Sequence, residues 1–523
     1  MASPVRPRSW LWIAIVTPIL AFVSLASWAL SSPVGASPDD DFHLASIWCG
    51  LGERAGICED PGDPVERLVP AAVAGAPCYA HRADESAACW NAGADGMTRV
   101  DRANADGLYP RVYYAVMSGL VGPDVPWSVM AMRLLNCAIA VGLLTATFWA
   151  LPRRIRPALI VSVTATSVPL GLFIVSSNNP SSWAVLSGTV VWIALYGATQ
   201  TSGKRRAALA SLYVLGCLMG AGARADAGAY AVFGTVVALI LGARQLRSQM
   251  IPIAAAAVGV ALSIGLYLTA WQGDSLATGI VQGNAPLSPD QLLSNAQEIP
   301  TLWLGALGSW GLGWLDTPLP GIVFVLASSA FFGAFYIGLR GVDRRRGIAI
   351  VVAVMALWAV PFVLLYQSNA MVGDLVQPRY ILPLLVIALG VASLRADASQ
   401  AWSRARLWAA GTALTLAFGT ALHTNIRRYT TGLDQFHVDP GSSAEWWWVG
   451  APSPIVTLAL GTAAFAVTFV MWGLVLRRDG SSASPDSHPE DSERELEGGR
   501  APDEHAANCA SAPAEVARAR PVQ

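Results

Sequence analysis

Apolar stretches of about 20 residues recur along most of this chain and constrain its fold more than any other feature. Each stretch is long enough to cross roughly 30 Å of hydrocarbon as an α-helix. Only 13% of the 523 residues are charged, whereas soluble domains carry about 25%. The sequence therefore predicts an all-α polytopic membrane protein. It shows no basic stripe and no known motif for binding nucleic acid.

The apolar pattern predicts twelve membrane spans. They lie at about 10–30, 127–151, 157–175, 182–199, 207–223, 228–243, 250–271, 319–339, 347–366, 379–394, 407–424 and 453–476. Basic residues favour cytoplasmic loops, and here they fall on every second connection: Arg6/Arg8, Arg153/Arg154/Arg156, Lys204/Arg205/Arg206, Arg244/Arg247, Arg340/Arg344/Arg345/Arg346, Arg395/Arg404/Arg406 and Arg477/Arg478. One pair, Arg427 and Arg428, falls on the opposite side. The alternation predicts that both termini are cytoplasmic. High Ala content and a preference for Arg over Lys indicate a GC-rich bacterial genome, and therefore a bacterial cytoplasmic membrane.

The first apolar stretch admits two interpretations. Arg6 and Arg8, the apolar residues and then Val34-Gly35-Ala36 resemble a cleaved signal peptide. The stretch is longer, however, than the usual signal core of roughly 7–15 residues. A retained first span is therefore favoured.

The first exported loop, about residues 31–126, contains four cysteines. These are Cys49, Cys58, Cys78 and Cys89. An even number of cysteines in an exported segment favours disulfides, and proximity pairs them most simply as Cys49–Cys58 and Cys78–Cys89. Zinc is the alternative, although no CxxC spacing supports it. Cys137, Cys217 and Cys509 are predicted to be free thiols.

Two further exported segments and the tail complete the organisation. The segment at about 272–318 is apolar but interrupted by Gly, which predicts an interfacial or re-entrant helix around 301–314. The segment at about 425–452 carries Trp446-Trp447-Trp448, which is typical of an interfacial anchor. Residues 1–478 are expected to form the membrane domain, and residues 479–523 a disordered cytoplasmic tail.

An acidic cluster follows the first span directly. Asp39, Asp40, Asp41 and His43 lie where the chain leaves the bilayer on the exported side. Adjacent carboxylates can bind a divalent cation such as Mg²⁺ or Mn²⁺, here on Asp39 and Asp41, or one can act as a general base. The simpler alternative is a solvated loop that caps the next helix. The position beside a span favours a functional site.

Two other charged groups are candidates on the same side. Arg224 and Asp226 lie on a short turn between two spans, where a charged pair is a functional candidate, although it can also simply pair with itself. Arg379 opens a later span, and its guanidinium suits a phosphate or pyrophosphate. Snorkelling to lipid headgroups is the alternative for Arg379.

Other polar residues provide weaker candidates. Asn178 and Asn179 form a tight connection where their amides can bind sugar hydroxyls, although helix capping is the simpler interpretation. Tyr114, with Arg111 and Tyr113 nearby, precedes the second span and can line the same pocket. The chain contains no GxxxxGK[ST] loop, HExxH pair or GxSxG elbow, which argues against ATP-driven chemistry and serine hydrolysis.

A first span followed by an exported loop that opens with an acidic pair resembles the GT-C superfamily of membrane glycosyltransferases. More narrowly, Pro38-Asp39-Asp40-Asp41-Phe42-His43 resembles the P-D-E-P-x-H opening of a large family of bacterial multi-span proteins. Asp40 replaces the Glu of that pattern, and Asp41 replaces its second Pro. Further matching pieces are Tyr113-Tyr114, Asn179-Pro180, the Arg224/Asp226 turn and Gln377-Pro378-Arg379-Tyr380. The resemblance covers roughly residues 10–476.

The resemblance implies an enzyme that transfers a sugar from a polyprenyl-phosphate carrier to an envelope glycan or glycoprotein. Asp39 would be the catalytic carboxylate, assisted by Asp40 and His43. Arg379, with Arg224, would hold the carrier phosphate. Two other functions stay open: a transporter or flippase for lipid-linked saccharides, and a non-catalytic envelope assembly protein. Because most charges lie at span ends and one exported loop dominates, the enzyme is favoured.

Overall fold

Helices make up most of the regular structure of the chain. The computed structural model describes residues 7–91, 93–94, 96–243, 249–272, 285–395 and 397–481. In chain order the elements are α1 (Pro7–Leu30), α2 (Asp40–Trp48), β1 (Arg67–Pro70), β2 (Met97–Val100), α3 (Val112–Ser118), α4 (Val125–Ala150), α5 (Arg156–Ser167), α6 (Leu170–Val175), α7 (Ser181–Thr199), α8 (Gly203–Ala223), α9 (Ala225–Gly242), α10 (Met250–Leu268), α11 (Pro289–Leu304), α12 (Gly321–Gly338), α13 (Arg344–Gln367), α14 (Pro378–Ala392), α15 (Ala398–Ala401), α16 (Arg404–Thr430) and α17 (Pro454–Ser481).

Nine helices in the described ranges are long and apolar enough to cross a membrane. They are α1 from Trp12, α4, α7, α8, α9, α10, α12, α13 and α17 as far as Arg477. Their bounds lie within a few residues of nine predicted spans. A tenth helix, α14, is apolar but shorter.

The other two predicted spans differ from the expectation for physical reasons. The span at 157–175 is not one helix, because α5 ends at Ser167 and α6 begins at Leu170. Pro169 causes the break, since the residue before a proline is disfavoured in the α conformation, and Val168 is extended. The predicted span at 407–424 lies inside the 27-residue helix α16, whose arginines and His423 reduce its apolarity.

Side-chain contacts connect the span ends on one face of the bundle, which we call the basic face. Arg154, in the connection between α4 and α5, donates to Gln200 after α7 at 2.7 Å. Arg345 at the start of α13 donates to the carbonyl of Ala243 after α9 at 2.7 Å. These contacts join loops that follow every second predicted span, which is the side to which the distribution of basic residues assigns them.

Exposed aromatic side chains mark both ends of the spans. Trp12, Trp149, Tyr336 and Trp408 lie at the basic face, and Trp127, Trp271 and Tyr366 lie at the opposite end. Trp and Tyr prefer the membrane–water interfaces. The two bands therefore bracket the hydrocarbon layer, and the acidic cluster follows the end of α1 at the side of the second band, which we call the site face.

The first loop, Ser31 to Asp124, is a folded unit on the site face. It contains α2, α3 and the antiparallel pair β1–β2, in which Arg67 lies opposite Val100. Disulfides join Cys49 to Cys58 and Cys78 to Cys89, which confirms the predicted pairing. Because these four sulfurs are bonded in pairs, they provide no thiolates for zinc. Cys137 and Cys217 are free and buried.

Replacement of Cys78 and Cys89 by Ser is expected to lower the free energy of unfolding by about 3 kcal/mol. The disulfide closes a loop of 11 residues, and closure of a loop of this length removes about that much conformational freedom from the unfolded chain. Thermal unfolding in detergent would measure the change. An unchanged melting temperature would contradict the expectation, and Cys217→Ser is the control.

A buried ion pair fixes the loop to the helices. Arg428 in the last turn of α16 donates to Asp316 at 2.8 Å, and both side chains are buried. Arg428 also donates to the carbonyl of Tyr79 at 2.7 Å and to that of Glu85. Arg428 thus lies on the side opposite to the other basic clusters because it binds a buried carboxylate and two carbonyls of the first loop.

The other two exported segments contain short ordered features. The amphipathic helix α11 ends at Leu304 and is followed by one π-helical turn, Gly305–Ser309, in which Gly308 has φ 106°. Trp303 donates to the carbonyl of Leu357, so α11 packs on α13. Trp448 is only partly exposed and donates to the carbonyl of Leu30, so at least this Trp has a structural contact.

Several predictions concern residues outside the described ranges. These are Arg6, Arg244, Arg247, Cys509 and nearly all of the tail, from residue 482 onward. The first span is described from Pro7. It forms part of the bundle, because Arg133 of α4 donates to the carbonyls of Ala29, Ser32 and Pro33.

Candidate active site

Asp39 lies at the start of α2 but does not cap it with its side chain. Its backbone is left-handed, with φ 58°, and its carbonyl accepts from the N–H groups of Phe42 and His43. Asp is among the residues that tolerate this conformation. The carboxylate instead accepts from Arg379, with Oδ2 to Nη2 at 2.5 Å. The side chain of Asp39 retains 35% exposure, whereas that of Arg379 retains 2%.

Arg379 is held in place by its own helix terminus. It is the second residue of α14, after Gln377 and Pro378, and it donates to the side chains of Gln377 and Tyr380. Its guanidinium lies 5.0 Å from the centroid of the Tyr380 ring. The Nε atom of Arg379 is buried and has no partner among the described residues.

Arg224 and Asp226 form a buried pair next to Arg379. Two parallel bonds of 2.8 Å join Nε to Oδ1 and Nη2 to Oδ2. Arg224 is the single extended residue between α8 and α9, which points its side chain into the bundle. Its guanidinium lies 4.8 Å from the Tyr380 ring centroid and 5.6 Å from that of Tyr109. Tyr380 therefore contacts both guanidinium groups.

His43 lies in a buried aromatic environment. Its Nδ1 is 2.9 Å from the hydroxyl of Tyr114, and its ring lies edge-on to Tyr109. Burial lowers the pKa of His43 to about 3, although the carboxylate of Asp39 opposes the shift. The ring is therefore neutral near pH 7, and its Nε2 has no partner among the described residues.

Asp40 and Asp41 have environments different from that of Asp39. Asp40 is fully buried, and its Oδ2 accepts from the N–H of Ser37 at 3.0 Å. Burial raises the pKa of Asp40 to about 7, although Arg133 opposes the shift. Asp41 pairs with the exposed Arg102 at 2.9 Å, and burial raises its pKa too. The three adjacent carboxyl groups therefore differ in exposure and in partners.

The contribution of Asp40 to the free energy of unfolding is expected to fall as the pH rises from about 4 to about 7. In this window folded Asp40 keeps its proton, whereas the unfolded carboxyl, with a pKa near 3.9, has lost it. The full effect is roughly 4 kcal/mol. His43 acts in the opposite direction, because its imidazole is neutral in the folded protein and is protonated below about pH 6.5 in the unfolded chain. Asp40→Asn should therefore make the melting temperature rise more steeply with pH than in wild type, and the exposed Asp101→Asn should not. Identical profiles for wild type and Asp40→Asn would contradict this assignment.

The two predicted asparagines hold the backbone of the acidic segment. The Nδ2 of Asn179 donates to the carbonyl of Pro38 at 2.8 Å, and its Oδ1 accepts from the N–H of Ser181 at 2.9 Å. Asn178 donates to the carbonyl of Val129, and its Oδ1 has no partner among the described residues. Both side chains are buried. Asn179 thus accepts from the first N–H of α7, whose N-cap residue is Pro180, and also positions the segment before Asp39.

Most of the predicted residues come together at the site face. Asp39, Arg379, Arg224, Asp226, His43 and Tyr114 are connected through direct contacts or through Tyr109 and Tyr380. Arg111 is exposed at the start of α3. Sequence reasoning assigned no role to Tyr109, Tyr380 or Arg133. The position of Tyr380 beside Arg379 was an available signal, whereas the contacts of Tyr109 and Arg133 depend on the fold.

Fold and site together define a polytopic helical membrane protein with a charged cluster at one membrane boundary. The chain belongs to the family described as predicted membrane protein DUF2142, whose model matches residues 22–388. This membership confirms the predicted class. No curated protein matches the sequence.

Two crystal structures of ArnT from Cupriavidus metallidurans align with the chain. The one bound to undecaprenyl phosphate has 11% identity and a TM-score of 0.43, and the alignment covers 91% of this chain and 78% of that chain. The apo structure has 12% identity and a TM-score of 0.41, with 90% and 77% covered.

Proposed function

We propose that the protein is a membrane glycosyltransferase that moves a sugar from a polyprenyl-phosphate carrier to a cell-envelope acceptor. The ion pair between Asp39 and Arg379 carries the proposal. It joins a partly exposed carboxylate to a buried guanidinium at a membrane boundary, and these two residues are 340 positions apart. A carboxylate and a guanidinium are the groups that base catalysis with an anionic leaving group requires.

Arg379 is suited to hold the carrier phosphate. A guanidinium donates through several N–H groups in one plane, and the Nε of Arg379 has no partner among the described residues. Arg224 uses two of its nitrogens on Asp226. Arg224 therefore contributes its positive charge close to Arg379, and the two nitrogens bound to Asp226 do not provide a second bidentate contact for the phosphate.

Asp39 is suited to accept the proton of the attacking hydroxyl. Burial alone would raise its pKa, but the nearby cationic groups, above all Arg379, hold it below 3.8. The carboxylate is therefore ionised at neutral pH. A phosphate that binds Arg379 would compete with Asp39, and loss of the cationic partner raises the pKa of a carboxylate and strengthens it as a base.

The proposed reaction is a single displacement at the anomeric carbon. The acceptor oxygen forms a bond to this carbon, and the bond from the carbon to the phosphate oxygen breaks. Polyprenyl phosphate leaves with the electron pair, close to Arg379 and Arg224. The proton of the acceptor hydroxyl passes to Asp39.

The donor set does not fit a dedicated Mg²⁺ or Mn²⁺ site. Asp39 and Asp41 are paired with Arg379 and Arg102, respectively. In the described part of the chain, no group of three or more His, Cys, Asp or Glu side chains is arranged to hold a metal ion. The cation on Asp39 and Asp41 stays a prediction, and no step of the proposed reaction is assigned to it.

We place the protein in the bacterial cytoplasmic membrane with the site on the exported face. The basic residues at the opposite ends of the spans support this orientation. The disulfides support it too, because such bonds persist in oxidising compartments. Both termini would then be cytoplasmic.

Carrier binding provides the test of this assignment. Arg379→Gln is expected to weaken binding of undecaprenyl phosphate at least 10-fold, because a charge-assisted contact to phosphate contributes about 1.5–3 kcal/mol. Binding would be measured by titration of the purified protein in lipid nanodiscs. The matched control is Arg102→Gln, since Arg102 is exposed and pairs with Asp41. Equal affinity for wild type and Arg379→Gln would remove Arg379 from the carrier site.

A further inference from the structure

A deep apolar cavity lies inside the bundle, away from the candidate active site. It is enclosed by α1, α4, α5, α6, α7, α14 and α17 and has a volume of about 400 Å³, within the range of about 300–1,000 Å³ typical of ligand pockets. Its lining follows α1 from Ile13 to Leu25, which is about 18 Å of helix at about 1.5 Å per residue. The depth is close to one leaflet, or half of the roughly 30 Å hydrocarbon core.

The polar side chains in the lining leave the cavity apolar. Ser24, Thr164, Thr166 and Thr189 each donate to a carbonyl four residues earlier in their own helix. Their hydroxyls therefore need no partner inside the cavity. An apolar space of this kind stays free of water, and an unfilled space deprives its lining of dispersion contacts. A hydrocarbon chain would restore those contacts.

The end of the cavity at the basic face is cationic. Arg153 lines it and is exposed. Arg156 lines it as well, is buried, and lies 4.6 Å from the ring centroid of Phe148 and 5.2 Å from that of Trp149. The cavity thus has an apolar body and a guanidinium at its entrance, the pattern that complements an anionic amphiphile.

We propose that this cavity binds one acyl chain of an anionic phospholipid from the leaflet at the basic face, with the headgroup phosphate at Arg153. The length of one leaflet fits an acyl chain whose headgroup lies at that face. Two lining hydroxyls, those of Thr17 and Thr468, are buried without a partner among the described residues. Both lie near the middle of their helices, where their hydroxyls interrupt an otherwise apolar lining.

This lipid site is separate from the proposed carrier site. Arg379 and Asp39 lie at the site face, whereas Arg153 lies at the basic face, so a carrier whose phosphate binds Arg379 has its charge at the opposite end of the bundle. The proposed lipid site depends on the helix arrangement and the cavity alone. It stands or falls independently of the glycosyltransferase proposal.

Native mass spectrometry of the delipidated protein, titrated with phosphatidylglycerol or phosphatidylcholine, tests the proposal. Wild type is expected to retain one phosphatidylglycerol and to prefer it at least 5-fold over phosphatidylcholine. Ala21→Phe, which fills the middle of the cavity, should abolish this retention. Arg153→Gln should remove the preference, and the side chain that it replaces is exposed.

Matched variants outside the cavity provide the controls. Ala257→Phe on the exposed side of α10 and Arg205→Gln at the basic face should both behave as wild type. Retention that survives Ala21→Phe in a protein with an unchanged melting temperature would overturn the proposal. So would equal retention of the two lipids by wild type. Displacement of phosphatidylglycerol by equimolar undecaprenyl phosphate in wild type but not in Arg379→Gln would also overturn it, by assigning the bound lipid to the carrier site.

Discussion

Asp39→Asn is expected to lower sugar transfer by about 10²–10⁴-fold, the usual contribution of a general base. The amide cannot accept the proton of the attacking hydroxyl, but it occupies nearly the same volume. Asp39 is partly exposed and its side chain makes no helix cap, so α2 should persist. Transfer of radiolabelled sugar by purified protein in lipid would measure the loss.

The Asp39→Asn protein is expected to lose sugar transfer but to retain binding of the carrier. The substitution removes the carboxylate that competes for Arg379, so the affinity for undecaprenyl phosphate should stay the same or increase. Asp101→Asn, an exposed neighbour in the same loop, is the control. An Asp39→Asn protein that binds and transfers as wild type does would move the base to another residue.

Arg428→Met is expected to cause the largest loss of stability, about 3–5 kcal/mol in the free energy of unfolding. The substitution leaves the buried carboxylate of Asp316 without its cationic partner, and an uncompensated buried charge is strongly unfavourable. It also removes the donors to the carbonyls of Tyr79 and Glu85, which hold the first loop against α16. Melting temperature and chemical denaturation in detergent would both report the change.

Arg427→Met is the matched control, because the preceding guanidinium is only partly buried and lies over the ring of Phe436. Its effect should stay below about 1 kcal/mol. The double variant Arg428→Met/Asp316→Asn should regain part of the lost stability, since it removes both charges. Equal losses for the Arg427 and Arg428 variants would contradict the role assigned to the buried pair.

The spans were predictable because they depend on local composition. Twenty apolar residues form a membrane helix wherever they lie in a chain, so nine spans agree within a few residues. The break at Pro169 was also predictable from the sequence, since the residue before a proline is disfavoured in the α conformation. The role of Arg428 was not predictable from the sequence, because Asp316 is 112 residues away and comes near Arg428 only in the folded chain.

In the candidate site, too, some features follow from the local sequence and others depend on the fold. Asp39 and Arg379 each stood out locally, one in an acidic run and one at a span entry against the charge pattern. Their contact depends on the packing of α14 beside the first loop. Burial decides the protonation of Asp40 and His43, and no local pattern reports that burial.

The direct test of the proposed glycosyltransferase activity is sugar transfer by wild type and by Asp39→Asn. Each protein is supplied with a panel of radiolabelled polyprenyl-phosphate sugars and with bacterial envelope extract as acceptor. Wild type is expected to incorporate label from at least one donor, whereas Asp39→Asn, although folded and able to bind undecaprenyl phosphate, is expected to incorporate none. Incorporation that is equal in the two proteins would contradict the account, as would a folded wild type that uses none of the donors.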